Sequence, residues 1–246
     1  MTDTPADDLK PSFRSDVTVE LIKHTASDAD VLFAARVSTA GEQSLEELQK
    51  DPERSKGLIN YLMRDRHGSP FEHNSMTFFI SAPIFVFREF MRHRVGWSYN
   101  EESGRYRELE PVFYVPGASR KLVQEGRPGK YVFVEGTQAQ LELTGRAMED
   151  SYRQAYEAYQ EMLAAGVARE VARAVLPVGL FSSMYATCNA RSLMHFLGLR
   201  TQHELAKVRS FPQREIEMVG EKMEAEWARL MPLTHAAYNA NGRVAP

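Results

Sequence analysis

We predict an α+β fold in which helices pack on a small, mostly antiparallel sheet within one domain, residues 15–246. Two patterns predict this class. Segments with apolar residues every three or four positions are typical of amphipathic helices, and they alternate with short segments of alternating or β-branched apolar residues. The 246 residues are 43% hydrophobic, enough for a sizeable core. Because no internal repeat and no linker divides the sequence, one domain is the simplest arrangement.

The first half of the chain is predicted to begin with a disordered tail and then to mix strands and helices. In order, we expect a tail at 1–14, a strand at 17–21, a helix capped at Ser27 or Asp28, a short helix from Ser44, a helix at 52–66, a turn at 67–73, a strand at 76–80 and a helix from Pro83 to His93. The strand at 17–21 is predicted because Val17, Val19 and Leu21 alternate with polar residues. Gly68 and Pro70 predict the turn.

The second half is predicted to be mainly helical. In order, we expect a loop at 95–107, a strand at 112–115, a surface connection at 117–132, a helix at 136–165, a helix at 167–175, a strand at 181–187, a helix at 190–199 and a last helix from Pro212 to Leu230. In the long helix, Met148, Tyr152 and Tyr159 follow helical spacing. Asn189 is the expected N-cap of the helix at 190–199.

Composition excludes several classes of protein. The net charge of −3 disfavours wholesale nucleic-acid binding, so any anion site must be local. The single cysteine, Cys188, excludes an internal disulfide and a zinc site of several thiolates, and we expect it to be an inert core residue. The segment from Met1 to Pro11 has no apolar core like that of a signal peptide, and no apolar run is long enough for a bilayer. We therefore expect a soluble cytoplasmic protein without a membrane partner.

Cationic side chains and aromatic rings gather between residues 88 and 106. Guanidinium groups bind phosphates and rings stack on planar groups, so the mixture indicates a bound nucleotide. If the first part is helical, Arg88 and Arg92 share one face, and Glu89 and His93 share another. The alternative is a solvent-exposed helix end, where cations interact favourably with the C-terminal dipole.

The loop that follows adds polar groups. The side chains of Asn100, Glu101 and Ser103 are suited to the edge of a base or to a ribose. Backbone N–H groups near Ser103 and Gly104 are suited to a phosphate, and Arg105 adds a cation. The alternative is a polar loop that caps itself through its Asn and Ser side chains.

Two later segments, 169–173 and 189–200, again place arginines among apolar residues. Arginines in such surroundings are rarely buried without an anionic partner. That partner is either a ligand or an intramolecular carboxylate such as Glu170 or Glu204.

Two other functions remain as alternatives. His67, His73 and His93 with Glu72 have the chemistry of a metal-dependent hydrolase, but their spacing matches no helical His-pair motif, and we predict no metal site. A non-enzymatic binder of RNA or nucleotides would use Arg92, Arg94 and Arg105. Since the chain lacks a Walker loop and a Gly-x-Gly-x-x-Gly motif, no glycine fingerprint supports a dinucleotide.

Several motifs closely resemble the signature of the flavin-dependent thymidylate synthases. The signature matches are Arg92-His93-Arg94, Ser98-Tyr99-Asn100-Glu101 and Ser103-Gly104-Arg105-Tyr106. Supporting matches are His67-Gly68-Ser69-Pro70-Phe71-Glu72-His73, Arg169-Glu170-Val171-Ala172-Arg173, Leu176-Pro177 and Asn189-Ala190-Arg191-Ser192-Leu193-Met194. They follow the family's order over most of the chain, from about residue 35 to 216.

The resemblance implies a homotetramer of α+β subunits whose active sites are shared between chains. It implies methylation of dUMP to dTMP, with methylenetetrahydrofolate as the carbon donor, FAD as the hydride carrier and NADPH as the reductant of FAD. Arg200 would be catalytic, favouring ionisation of the uracil N3 position. Implied dUMP contacts are Glu89, Phe90, Met91, Arg92, Glu101, Glu102, Ser103, Gly104, Arg105, Arg173 and Arg200. Implied FAD contacts are Ser38, Ser69, Glu72, Arg92, His93, Arg94, Glu101, Asn189, Arg191 and His195.

This sequence departs from the family pattern at three places. Eight residues, Val95–Glu102, separate the Arg-His-Arg triplet from the motif serine where seven are usual, and we expect a bulge near Gly96 and Trp97. Glu89 stands where the family often has Gln. The segment Thr201–Gln213 is longer than usual, and His203 is the candidate for a flavin-contacting histidine there.

Overall fold

The computed structural model describes residues 10–41 and 52–246. Its helices are α1 (Asp28–Ala40), α2 (Pro52–Arg64), α3 (Ile84–Phe90), α4 (Gln138–Ala164), α5 (Arg169–Ala172), α6 (Ala190–Arg200), α7 (Arg214–Leu230) and α8 (Pro232–Ala240), with 3₁₀ turns at Ser69–Glu72 and Arg173–Val175. Its strands are β1 (Ser12–Arg14), β2 (Thr18–His24), β3 (Met76–Pro83), β4 (Trp97–Glu101), β5 (Val112–Tyr114), β6 (Val123–Arg127), β7 (Lys130–Val134) and β8 (Phe181–Cys188). The predicted α+β class is confirmed. The expected helix from Ser44 lies outside the described residues.

The strands form small sheets. A four-stranded sheet has the order β2-β3-β8-β4, and β6 pairs with β7 in an antiparallel hairpin. Strands β1 and β5 form a parallel pair in which Phe13 lies opposite Phe113. Each described helix is too short or too polar to cross a membrane.

The chain divides into two compact units, and the arrangement of residues 15–246 as one domain stays a prediction. Unit 1 contains residues 10–16, Ser81–Arg88 and Glu101–Ser183, and unit 2 contains residues 17–41, 52–80, Glu89–Asn100 and Met184–Pro246. Each unit is assembled from separated segments. No linker marks the division, so composition along the chain does not reveal it.

Unit 1 has an aromatic core. Phe113 of β5 is fully buried and stacks on Tyr152 of α4, with ring centroids 4.8 Å apart. Tyr156 and Tyr159 of the same helix are buried beside them. The three tyrosines lie at helical spacing, and α4 therefore confirms the predicted amphipathic helix.

The predicted tail is wrong at Ser12–Arg14, which form β1. The Ser12 N–H donates to the Pro111 carbonyl (2.8 Å), and Phe13 packs against the core of unit 1. Because the strand has only three residues and its partner begins at Val112, its pairing leaves no alternating pattern in the sequence. Residues 1–9 of the predicted tail lie outside the described part of the chain.

The predicted surface connection at 117–132 does lie at the surface, and β6 and β7 form a hairpin there that the sequence analysis did not predict. Gly126 and Gly129 adopt left-handed backbone conformations, with φ of 91° and 77°. Pro128 and Gly129 form the turn of the hairpin, and Gly126 lies within β6 opposite Tyr131. The three residues resemble a loop in composition. The flanking Val123–Arg127 and Lys130–Val134 are short and largely exposed, so their apolar pattern is weak.

Unit 2 is built around α6, α7 and α8. Phe196, Trp227 and Tyr238 are fully buried, and the rings of Trp227 and Tyr238 meet edge to face at 5.7 Å. Helix α8, which the sequence analysis did not predict, begins with Pro232. Its first turn is capped from α1, because the Asp28 carboxylate accepts the N–H groups of Leu233 and Thr234, both at 2.9 Å.

Candidate functional site

The predicted catalytic residue Arg200 lies at the end of α6 in unit 2 and is partly buried. Its Nη1 pairs with the carboxylate of Glu89, and its Nε donates to His93 Nε2 at 3.1 Å. The Arg200 side chain is 21% exposed and that of Glu89 is 23% exposed. We call Glu89, His93 and Arg200 the Arg200 cluster. The structure therefore brings together three residues that the sequence singles out.

Burial governs the charges of the Arg200 cluster. Burial raises the pKa of the Glu89 carboxyl, the Arg200 charge opposes this rise, and the nearby Glu215 reinforces it. The pKa of His93 is lowered to about 4, mainly by burial and to a smaller extent by the Arg200 and His195 side chains. His93 is therefore neutral at pH 7. Because its Nε2 accepts a hydrogen bond, its proton is on Nδ1.

Aromatic rings desolvate this cluster. The Phe196 ring stacks on Phe90 at 4.7 Å and meets the His93 ring edge to face at 4.9 Å. Trp97 and Tyr99 stack on each other at 5.7 Å with an interplanar angle of 10°. The rings that the sequence places beside the cations thus pack on one another, and Trp97 and Phe196 lie against the His93 ring.

The predicted helix to His93 is wrong at its end, since α3 stops at Phe90. The Tyr99 hydroxyl donates to the carbonyls of Phe90 (3.1 Å) and His93 (2.9 Å) and so satisfies main-chain oxygens where the helix ends. Glu89 and His93 therefore meet through Arg200 and not through a shared helical face. Phe90 is fully buried, whereas Met91, Arg92 and Arg94 are exposed.

The chain turns at Gly96, close to where the longer spacing between the Arg-His-Arg triplet and the motif serine predicts a bulge. Gly96 has a φ of 70°, and β4 begins directly after it, inside the segment predicted to be a loop. A Cβ on Gly96 would lie 2.1 Å from Ser192 Oγ, and that hydroxyl donates to the Val95 carbonyl at 3.0 Å. The turn thus packs on the first turn of α6, whose predicted N-cap, Asn189, accepts the Ser192 N–H at 2.9 Å.

A second cation in unit 2, Arg191, is held by three groups. Its Nη1 pairs with Glu72 Oε1 at 2.5 Å, and its Nε donates to the main-chain oxygen of Pro246 at 2.6 Å. A Cβ on Gly68 would lie 2.6 Å from the guanidinium carbon, so only glycine permits this approach. We call Gly68, Glu72, Arg191 and Pro246 the Arg191 cluster. The contribution of Pro246 has no signal in the sequence.

Three further predicted flavin contacts in unit 2, Ser38, Ser69 and His195, are exposed. Ser69 lies at the start of the 3₁₀ turn that carries Glu72, and His195 lies on α6. Ser38 lies near the end of α1, where its hydroxyl donates to the Ala35 carbonyl at 3.2 Å. His203 accepts the Leu205 N–H at 3.1 Å and lines a cavity of about 410 Å³.

Unit 1 carries the predicted phosphate loop. Gly104 is buried, and a Cβ there would lie 2.9 Å from Leu109 Cδ1 and 3.3 Å from Arg173 Cδ. Arg105 is exposed and pairs with Glu170 at 3.1 Å. Glu170 is therefore an intramolecular partner of an arginine, as one alternative predicted, but that arginine belongs to the loop and not to segments 169–173 or 189–200. The Ser103 hydroxyl accepts the Arg105 N–H at 3.3 Å.

The two carboxylates before this loop differ in their partners. Glu102 accepts hydrogen bonds from the Ser183 hydroxyl at 3.2 Å and pairs with Arg107 at 3.1 Å. Partial burial raises the pKa of Glu101, although a hydrogen bond from Ser182 opposes the rise. Glu102 thus has intramolecular partners on both carboxylate oxygens.

The features expected for the alternative functions are weak. In residues 10–41 and 52–246, no three His, Cys, Asp or Glu side chains are grouped as metal ligands. His67 is exposed and stacks on the Tyr61 ring at 5.6 Å. Cys188 is buried, and burial raises the pKa of its thiol, which disfavours a thiolate nucleophile.

Comparison with known proteins agrees with the motifs. Residues 20–233 match the family described as thymidylate synthase complementing protein. The chain is 94% identical over 246 residues to a flavin-dependent thymidylate synthase of Streptomyces avermitilis, with 100% of each chain covered. It is 57% identical over 239 residues to the enzyme of that name from Tropheryma whipplei, covering 97% of this chain and 98% of the relative.

Solved structures extend the similarity to the fold. The UMP/dUMP methylase PolB from Streptomyces cacaoi, bound with 5-Br dUMP, superposes with a TM-score of 0.89 at 57% identity, covering 95% of this chain and 99% of that one. The same protein bound with 5-Br UMP gives a TM-score of 0.88 at 55% identity over 97% and 100% of the two chains. The family predicted from the motifs is confirmed. This chain belongs to the thymidylate synthase complementing protein family.

Proposed function

We propose that this chain is a flavin-dependent thymidylate synthase that converts dUMP to dTMP. Methylenetetrahydrofolate supplies the carbon, and NADPH-reduced FAD supplies the hydride. The observation that carries the proposal is the Arg200 cluster, in which a partly buried guanidinium is fixed by Glu89 and a neutral His93. Such a cation is suited to a uracil ring that becomes negatively charged during the reaction. Family membership supports the same activity.

Arg200 acts on the substrate through its permanent charge. A guanidinium stays protonated at any working pH and stabilises an anion that develops on uracil, which increases the nucleophilicity of C5. Because His93 is neutral, Arg200 is the one cation within the Arg200 cluster. A protonated His93 ring would repel the Arg200 guanidinium. Bonds to Nη1 and Nε orient the guanidinium before substrate arrives, which lowers the cost of reorganisation.

The loop Ser103–Arg105 and Arg173 are proposed to bind the phosphate of dUMP. Gly104 allows the main chain to lie close to the stem of Arg173, so a loop rich in N–H groups and a guanidinium occur together in unit 1. Arg105 is exposed, and its partner Glu170 would have to yield it to the ligand. Glu89, Phe90, Met91, Arg92, Glu101 and Glu102 complete the proposed dUMP contacts.

The donors available in unit 2 fit FAD. Arg191 is fixed against Gly68 and offers a cation to a diphosphate, while exposed Arg92 and Arg94 add two further guanidinium groups. FAD, when bound, supplies the hydride that reduces the transferred carbon to a methyl group. The remaining proposed contacts are Ser38, Ser69, Glu72, His93, Glu101, Asn189 and His195.

We also propose a cytoplasmic homotetramer in which active sites are shared between subunits. This part follows from the family resemblance. Size-exclusion chromatography with multi-angle light scattering tests it, and a monomer at micromolar concentration would contradict it.

The activity is tested with purified protein, added FAD and an anaerobic visible spectrum. We expect flavin absorbance that bleaches with NADPH, and dTMP that forms when dUMP and methylenetetrahydrofolate are both present. Omission of each reactant in turn is the control. UMP is assayed beside dUMP because the structural relative is named a methylase of both. A protein that binds no FAD, or whose turnover a chelator abolishes, would contradict the proposal and favour a metal-dependent hydrolase.

A further inference from the structure

We propose that Arg243 is a positioning residue for Arg200 and that it acts through Thr201. This inference rests on the proposed function, because it assigns Arg243 to the reaction that Arg200 serves. Arg243 lies beyond α8, outside the matched family region of residues 20–233 and outside every motif that the sequence analysis identified.

Arg243 is a buried arginine with an unusually complete set of partners. Its side chain is 1% exposed. Nη1 donates to Glu224 Oε1 at 2.6 Å and to Asn239 Oδ1 at 2.8 Å, and Nη2 donates to Glu224 Oε2 at 2.7 Å. The guanidinium lies over the Tyr238 ring, 5.0 Å from its centroid. The two terminal nitrogens of Arg243 bind the two oxygens of the Glu224 carboxylate, which fixes the orientation of the guanidinium and compensates its charge.

The same guanidinium reaches the residue next to Arg200. Nη2 of Arg243 also donates to Thr201 Oγ1 at 3.3 Å. That hydroxyl donates to the Leu197 carbonyl at 2.7 Å, and the Thr201 carbonyl accepts from Ser210 Oγ at 2.5 Å. Thr201 is 5% exposed, and its N–H donates to the same Leu197 carbonyl at 3.0 Å. Each polar group of Thr201 is therefore bonded where the chain leaves α6.

Helix α7 holds the same point by close packing. A Cβ on Gly220 would lie 2.8 Å from Thr201 Cγ2 and 3.6 Å from the Arg200 carbonyl oxygen. The main chain at 200 and 201 is thus packed on α7 and bonded to Arg243. Arg200 is the last residue of α6, and its side chain has four rotatable bonds. A fixed main chain at this residue is needed for the guanidinium to point reproducibly at a ligand.

A purely stabilising role explains this arrangement less well. Replacing a buried ion pair with apolar residues is often neutral or stabilising, so burial of a full charge pair indicates a demand for a defined geometry. Glu224 neutralises Arg243, so the network adds no net charge beside Arg200. Burial alone would raise the pKa of Glu224, but hydrogen bonds from Arg243 and His235 lower it to about 2, so the pair stays ionised across the working pH range.

The test measures the field that Arg200 exerts on a bound ligand. In the FAD-loaded enzyme, the N3 proton of bound 5-bromo-dUMP is titrated by ultraviolet difference spectra. Arg200→Lys is the positive control, because it keeps the charge but loses the paired bonds to His93 and Glu89 that fix its position. We expect it to raise the pKa of the bound N3 by about one unit, since a well-placed nearby cation lowers such a pKa by about 1–3 units. We expect Arg243→Lys and Thr201→Val to raise it similarly and to lower kcat at least tenfold, while the Kd of 5-bromo-dUMP changes less than threefold.

Two conservative variants separate positioning from folding. Thr201→Ser keeps the hydroxyl and should restore the wild-type N3 pKa. Arg229→Lys makes the same change in an exposed ion pair of α7 and should leave both readouts unchanged. An unshifted N3 pKa in Arg243→Lys and Thr201→Val, or loss of 5-bromo-dUMP binding at unchanged Tm, would overturn the inference. Failure of the wild-type protein to form dTMP would instead overturn the proposed function.

Discussion

At the residue scale, Glu89 stands where the family resemblance leads us to expect a glutamine. Its carboxylate pairs with the cation proposed to act on uracil. The pair neutralises Arg200 in the absence of ligand. An anionic substrate must therefore compete with Glu89 for the same guanidinium.

We predict that Glu89→Gln tightens dUMP binding and lowers stability. The amide keeps a hydrogen-bond acceptor but frees the charge of Arg200, so dUMP should gain about 1 kcal/mol, roughly fivefold in Kd. Loss of the partly buried pair should cost about 1–2 kcal/mol of the free energy of unfolding. Isothermal calorimetry and urea denaturation measure the two effects. Glu226→Gln, in an exposed pair with Arg229, is the control. We place the proposed Glu89 contact with dUMP in its main chain, so weaker dUMP binding would contradict the prediction and show that the carboxylate contacts dUMP.

His93 makes stability depend on pH in a defined direction. Its pKa is lowered from 6.5 to about 4 in the folded chain, so the unfolded chain takes up a proton first as the pH falls through this window. The state that binds more protons gains relative stability, and the free energy of unfolding must therefore decrease from about pH 6.5 to pH 4. His93→Gln should flatten this decrease. His24→Gln, at an exposed position of β2, should leave it intact, and equal slopes for the two variants would contradict the role of His93.

At the element scale, the sequence predicts helices well where the signals are local. Asn189 is the N-cap of α6 and Ser27 is the N-cap of α1, as predicted. An N-cap can be predicted because its partners lie only two or three residues away in the sequence. The N-terminus of α8 is capped by Asp28 across about 205 residues of sequence. Strand β1 likewise depends on a distant partner, β5. Such contacts leave no local pattern, which explains why these elements were missed.

Gly96 shows how one residue positions an element. Its left-handed φ of 70° lets β4 begin beside α6, and its missing side chain leaves space for Ser192. We predict that Gly96→Ala lowers the free energy of unfolding by about 2–3 kcal/mol, because the left-handed conformation and the contact with Ser192 both penalise a Cβ. Thermal denaturation measures it. Gly145→Ala in α4 meets no atom within 4 Å and should instead stabilise by about 0.5–1 kcal/mol.

At the scale of the whole molecule, the motifs predict which residues form the proposed site but not how these residues pair. Arg200 meets Glu89 and His93 across more than 100 residues of sequence. Residue types predicted cations beside rings, and the structure adds that one cation is neutralised by a carboxylate and fixed by a neutral histidine. The resemblance, in turn, could not predict Arg243 or Pro246, because neither belongs to a motif.

The last described segment, Val244–Pro246, contacts Arg191 of the proposed flavin site. Arg66 Nη1 donates to the carbonyls of Val244 (2.8 Å) and Ala245 (2.9 Å), while Arg191 Nε donates to the Pro246 oxygen. Two arginines thus bind three successive main-chain oxygens. The segment either orients Arg191 for FAD or competes with FAD for it, and the two roles predict opposite effects of removal.

We predict that deleting residues 244–246 weakens FAD binding about tenfold, since one fixed direction of the Arg191 guanidinium is lost and an ordered cation binds a diphosphate better than a mobile one. Flavin fluorescence quenching measures the Kd. The deletion keeps Arg243, so turnover at saturating FAD should stay within threefold of wild type. Arg66→Lys, which disturbs the segment but leaves the Pro246 bond to Arg191, should weaken FAD binding less than the deletion. Tighter FAD binding after deletion would show instead that the segment competes with the cofactor for Arg191.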